Sequence, residues 1–176
     1  MRCRARSRRA FSLLEVTVVV VIVGILAIGV IPALGSTGGA RQAAAARQTH
    51  RLLTHARTFA MMTGQPAGVI VDASDDTLTP VFISSGSASV AVMRTSTGDD
   101  AAPLAISESF PGAEILSCVG GDGSTGTVRL WFSHDGTPHV RDADGTLIGP
   151  FTQDASVSLT GGYTVTVRRV SGLVER

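Results

Sequence analysis

The sequence predicts an α+β fold, a long N-terminal helix packed on an antiparallel β-sheet domain, and three observations carry that expectation. Residues 11–34 form an apolar run in which Glu15 is the one strongly polar member. Residues 40–62 contain neither Gly nor Pro and repeat apolar positions at helical spacing. From residue 64 onward the apolar period shortens to two, and Gly and Asp punctuate the runs. A chain of 176 residues suits one modest globular domain with an accessory segment.

The first element is the apolar run. All fifteen basic residues are arginines, and Arg2, Arg4, Arg6, Arg8 and Arg9 precede any acid. As a helix, the 24 residues from Phe11 to Leu34 would rise roughly 36 Å at about 1.5 Å per residue, enough for a hydrocarbon core of about 30 Å. No arginine falls between Phe11 and Ala40, so the positive-inside bias puts residues 1–10 on the cytoplasmic side and everything after Leu34 outside. An ordinary secretory signal cut near Ala33, Leu34 and Gly35 is one reading of this segment. A twin-arginine export signal built on Ser7-Arg8-Arg9-Ala10-Phe11 is another. Neither needs Glu15, and nor does a plain anchor whose glutamate snorkels from the helix end. A lone carboxylate one turn into an apolar helix is costly in lipid unless it is paired, so Glu15 calls for a partner.

Arg8-Arg9-Ala10-Phe11-Ser12-Leu13-Leu14-Glu15-Val16 resembles the prepilin signature, in which a dedicated peptidase cuts before a Phe and a glutamate stands four residues after it. The resemblance implies a cleaved basic leader of residues 1–10, a cut between Ala10 and Phe11, and N-methylation of Phe11. It also implies an assembly role for Glu15, neutralised by the Phe11 ammonium of a neighbouring subunit. Ala10 stands where the signature usually has Gly. Pro32, followed by Gly35, Gly38 and Gly39, falls where pilin-like helices are similar in carrying a helix-loosening proline, which removes a backbone donor and kinks the helix near the membrane exit. A Val-rich face with Gly24, Ala27 and Gly29 would let such helices approach closely in a filament core. On this reading residues 11–34 are a transmembrane helix and residues 35–63 its exposed continuation. Residues 64–176 are then a β-rich periplasmic domain of a single-pass inner-membrane protein.

The second element continues the helix. Ala45, Thr49, Leu52, Ala56, Phe59 and Ala60 make its apolar stripe, expected to face the sheet. Arg47, Arg51 and His55 lie one turn apart on another face, which reads as a subunit contact, an anion-binding strip or simply a solvated surface. His50 and His55 are five apart, the wrong spacing for a helical metal pair.

Short strands follow. They are expected at residues 68–72, 78–84, 89–94, 115–119, 127–133, 146–151, 157–160 and 163–170, with 95–114 as a loop. The turns His134-Asp135-Gly136, Asp144-Gly145 and Gly161-Gly162 mark a meander of hairpins. Val128, Leu130 and Phe132 alternate with Arg129, Trp131 and Ser133, as half-buried antiparallel strands do. Leu52-Leu53-Thr54-His55-Ala56-Arg57-Thr58-Phe59-Ala60, then Val69-Ile70-Val71, and the hairpin Leu130-Trp131-Phe132-Ser133-His134-Asp135-Gly136-Thr137 resemble GspH/FimT-type minor pseudopilins. That resemblance implies a structural subunit of a type II secretion pseudopilus or type IV pilus, with prepilin peptidase, other pilins and the cytoplasmic membrane as partners. Its alternative is a FimT-like minor pilin that binds DNA for uptake.

Charge and chemistry narrow the classes further. After Thr63 six arginines face thirteen acids, a net charge of −7, which disfavours nucleic acid as a partner through general phosphate attraction. Arg168-Arg169 does not match the Gly-Arg-x-Arg motif of the DNA-binding relatives. Ser133-His134-Asp135 has the residue types of a hydrolase triad, but consecutive residues at a turn cannot converge. Asp142-Ala143-Asp144-Gly145 and the trio Asp72, Asp75 and Asp76 lack the downstream Glu of a calcium loop. Gly120 to Gly126 looks like a phosphate loop, yet the chain has no Lys. Cys118, in the run Ile115 to Val119, reads as a buried hydrophobe. The expectation is therefore a non-enzyme with no catalytic, cofactor or metal residues; a signal-anchored periplasmic enzyme or binding domain is the remaining class.

Overall fold

The computed structural model describes residues 13–84, 89–94 and 100–176, and only the backbone for residues 26–37. The chain divides into two compact units between Thr37 and Gly38. Helix α1, Leu13–Thr63, supplies the described part of the first unit and opens the second.

In the first unit every side chain from Leu13 to Ile25 is exposed. The Thr17 hydroxyl bonds back to the Leu13 carbonyl at 2.8 Å, which keeps that one polar group satisfied within the helix. The helix continues through Pro32, which therefore does not end it.

In the second unit α1 buries Ala45, Ala46, Thr49, Leu53, Ala56 and Ala60, a stripe at three- and four-residue steps. Leu53, rather than the expected Leu52, sits at its centre; Leu52 and Phe59 are half-buried at the margins. Buried Thr49 returns its hydroxyl to the Ala45 carbonyl at 3.0 Å. The helix stops at Gly64, whose φ of 70° lets its N–H bond back to the Ala60 carbonyl at 3.0 Å.

The strands are β1 Ala67–Asp72, β2 Thr77–Ile83, β3 Val90–Val92, β4 Leu104–Ala105, β5 Ile115–Val119, β6 Thr127–Phe132, β7 Pro138–Arg141, β8 Leu147–Pro150, β9 Ala155–Leu159, β10 Tyr163–Val167 and β11 Val174–Glu175. A single turn of helix, α2 Ile106–Ser109, separates β4 from β5. They form two antiparallel sheets, where one was expected. The first has the order β3-β2-β1-β6-β7-β8, with β4 also on β2; the second runs β11-β10-β9-β5.

In the first sheet Ala67, Val69 and Val71 oppose Phe132, Leu130 and Val128, so both strands turn their apolar residues to one face. Those residues share one core with Ala45, Leu53, Ala56 and Ala60 of α1 and with Val157, Leu159, Val165 and Val167 of the second sheet. At Gly68 the strands lie closer than a Cβ permits, because one there would collide with the Leu130 carbonyl.

Four sequence expectations are corrected. Residues 104–109, placed in a loop, form β4 and α2, with Ile106 fully buried as their anchor. Pro138–Arg141, not marked as a strand, is β7, the centre of the β6-β7-β8 meander. Trp131, expected on the solvent side of its strand, is fully buried, opposite Gly68 and His139. The last long strand stops at Val167, because the Arg169 N–H bonds to Asp154 at 2.8 Å, outside any sheet ladder.

Candidate functional site

Of the residues singled out for processing and assembly, Glu15 is the one described. Ala10 and Phe11 lie outside the described residues. Glu15 occupies the first turn of α1, where a carboxylate complements the partial positive charge of the helix N-terminus. Around it Leu13 is 86% exposed and Ile25 65%, and no large apolar residue between them is less than 48% exposed. A helix that is apolar on every side has no solvated face to turn outward, so its stable surroundings are lipid or other helices. Over Gly24 the position of an absent Cβ has no atom within 4 Å, leaving the backbone open to close approach. Among the described residues no helix is long and apolar enough to cross a membrane. The side chains described without a break in the expected span run only from Leu13 to Ile25, about 20 Å of helix at about 1.5 Å per residue.

The basic face of α1 is divided between two roles. Arg57 is tied inward, donating to the Gly136 carbonyl at 3.1 Å and the Ser171 carbonyl at 3.0 Å. His50 Nε2 lies 3.1 Å from the Val174 carbonyl and fastens β11 to the helix. Arg47 and Arg51 remain exposed and line a polar cleft of about 740 Å3 with His50 and Val174 to Arg176. His55 is exposed, its ring 6.5 Å from that of Phe59.

The acidic motifs are built into turns. Asp72 accepts the Ser74 hydroxyl and the Thr127 hydroxyl as well as the Ser74 N–H, and these bonds hold its pKa down to about 2. Asp142 Oδ1 accepts the N–H groups of Asp144 and Thr146 at 3.0 and 2.7 Å. Asp122 does the same for Ser124, which fixes the Gly-rich turn. Gly121 in that turn packs on the Phe151 ring, which a side chain there would strike. Gly121 thus serves packing, whereas Gly123 and Gly126 take positive φ, 88° and 86°.

In Ser133-His134-Asp135 the serine hydroxyl does reach His134 Nδ1, at 3.3 Å. Asp135, however, turns away to accept the N–H and hydroxyl of Thr137 at 2.9 and 2.7 Å, bonds that lower its pKa. The three groups do not converge as a triad. Cys118 is buried, its thiol 2.8 Å from the Gly126 carbonyl, and burial raises its pKa. No group of three metal-ligating side chains occurs among the described residues.

Arg168 and Arg169 are held by the protein itself. Arg168 bridges Asp154 at 2.9 Å and Glu175 at 2.7 Å, and these partners raise its pKa. Arg169 donates to the Thr152 carbonyl at 3.0 Å. Phosphate contacts by Arg168 would have to displace two carboxylates, which argues against a DNA-reading role for it.

Residues 5–31 match the prokaryotic N-terminal methylation motif, the signal of type IV pilin-like proteins. No curated protein and no solved structure matches the chain. The matched segment takes in Ala10, Phe11 and Glu15 and ends within α1. It points to prepilin-type processing and to a structural protein that assembles with other pilins, rather than to an enzyme.

Proposed function

We propose that this chain is a minor pseudopilin of the GspH/FimT type, a subunit of a type II secretion pseudopilus or a type IV pilus. Prepilin peptidase cuts between Ala10 and Phe11, and the new Phe11 terminus is N-methylated. Residues 11–34 hold the subunit in the bacterial inner membrane before assembly, with residues 64–176 on the periplasmic side. The observation that carries this reading is the juxtaposition, within one methylation motif, of Glu15 and an α1 segment that is apolar and exposed on every side.

The physical steps follow from that segment. In lipid its backbone is satisfied by the helix itself, and its Val and Ile side chains need no aqueous partner. The cut at Phe11 creates an ammonium, and Glu15 of an adjacent subunit is a carboxylate at matching depth. Joining them in a medium of low dielectric neutralises two charges at once and sets the axial stagger between helices. Gly24 gives the neighbour's side chains room to reach the backbone.

Mass spectrometry of the mature N-terminus tests the proposal. A chain starting at methylated Phe11 is the expected result. A start after Gly35 would show a secretory signal and overturn it.

A further inference from the structure

Strand β8 forms one edge of the first sheet, and between it and the turn after β10 runs a groove of about 600 Å3. That volume lies in the range of small-ligand sites, about 300–1,000 Å3. Leu147, Pro150, Phe151 and Val170 line it, and two of these are unusually open for large apolar side chains, Leu147 at 57% and Val170 at 76% exposure.

Arg141 lines the same groove, half-buried. Its Nε donates to His139 Nε2 at 2.7 Å and its Nη1 to the Gly145 carbonyl at 2.6 Å. Both acceptors are neutral. His139 is 6% exposed, and burial, reinforced by the charge of Arg141, pushes its pKa down to about 4. Accepting at Nε2 puts the ring proton on Nδ1, so His139 orients the guanidinium without compensating its charge.

Among the described residues no carboxylate comes within 4.0 Å of Arg141. The adjacent Asp142 acts on Arg141 through its charge from beyond that distance, its Oδ1 being taken by the N–H groups of Asp144 and Thr146. Arg169 lines the groove as a second cation, with Asp154 close to it. A half-buried guanidinium is ordinarily matched by an anion, and Nη2, which has no bond among the described residues, is left to donate to a carboxylate. Beside it, among the described residues, β8 has no strand on its outer side, which is what an extended backbone adds to.

We propose that this groove binds the C-terminal end of an extended apolar peptide, its carboxylate on Nη2 of Arg141 and its backbone along β8. Apolar side chains of the peptide cover Leu147 and Val170. His139 is a positioning residue. The site lies in residues 133–170 and stands whether or not the chain assembles into filaments.

The test is calorimetric titration of the full-length chain in lipid nanodiscs, with empty nanodiscs as the blank. The probes are an acetylated tetrapeptide of valine and leucine with a free C-terminal carboxylate, the same peptide as its amide, and octanoate. The free acid is expected to bind, with the amide and octanoate each at least tenfold weaker. Arg141→Gln should weaken the free acid at least tenfold. Val170→Glu, at an exposed position, should do the same through like charge while leaving the melting midpoint unchanged. This second variant decides the matter if Arg141→Gln fails to fold. Absence of binding, equal binding of acid and amide, octanoate as tight as the peptide, or full affinity in Val170→Glu would each overturn the proposal.

Discussion

The two ends of α1 handle apolar surface in opposite ways. From Leu13 to Ile25 the side chains are mostly Val, Ile and Leu, distributed around the whole helix and exposed. From Ala45 to Ala60 they are mostly Ala, confined to one stripe and buried, with Leu53 as the one large residue at its centre. β-branched residues are poor helix formers in water, because their χ1 freedom is lost against the preceding turn. In a bilayer that preference matters less, since only a helix satisfies the backbone. Alanine has the reverse profile. It favours the helix intrinsically and, being small, brings the helix axis close to the sheet, so that the strand side chains complete the core. One region is therefore shaped to pack within its own chain and the other to pack against surroundings the chain does not itself supply.

The comparison can be broken most sharply at Leu53 and Val20. Leu53→Ala removes a fully buried side chain and should cost about 2–5 kcal/mol in thermal or denaturant unfolding. Val20→Ala, 64% exposed, should change unfolding by no more than about 0.5 kcal/mol. If the two variants melted alike, the division between an inward-packed and an outward-packed region would be wrong.

Within the inward-packed region, Gly68→Ala should cost about 1–3 kcal/mol, since the new methyl meets the Leu130 carbonyl and the strands must part. An unchanged midpoint would mean that β1 and β6 are less closely paired than the structure shows. In the outward-packed region, Glu15→Val should leave both cleavage and the melting midpoint as they were. Its expected effect is at least a tenfold loss of incorporation into filaments, equivalent to about 1.4 kcal/mol. Normal incorporation would remove the Phe11–Glu15 pairing from the mechanism.

The smallest effect is electrostatic. Asp72 has its pKa lowered from 3.8 to about 2 by the hydroxyls of Ser74 and Thr127 and the Ser74 N–H. A depressed carboxylate pKa stabilises the folded state fully above about pH 4, and that contribution disappears as pH falls through about 2. The stability difference between wild type and Asp72→Asn should therefore be constant near neutrality and shrink over that acid window. A difference independent of pH would assign the role of Asp72 to turn geometry alone.

Local features were the legible ones. The turns at Asp135-Gly136, Asp144-Gly145 and Gly161-Gly162 were readable because each demands a residue that tolerates positive φ, and the structure has φ of 81° at Gly136, 85° at Gly145 and 82° at Gly161. The alternation Val128, Leu130, Phe132 was readable because one face of β6 meets the shared core. Trp131 misled because strand alternation assumes that one face is wet, and that face of β6, exposed at Thr127 and half-buried at Arg129, is covered by the time it reaches Trp131. Strand β7 went unmarked because its four residues, Pro138 to Arg141, include a proline and two polar side chains and show no apolar period. Its pairing with β6 and β8, rather than its composition, makes it a strand.

By itself the sequence determined the N-terminal signal, the helical continuation, the hairpin turns and the acidic balance of residues 64–176. All of these depend on residues near one another in the chain, where spacing and local backbone preference are enough. Only the tertiary structure decided that the strands divide into two sheets and that Leu53 rather than Leu52 is central. It alone showed that Arg57 and Arg168 are tied to their own chain and that Arg141 is seated on a neutral histidine beside an apolar groove. Each of these depends on which distant segment arrives alongside, and burial, pairing and local charge are properties of that meeting rather than of either segment alone.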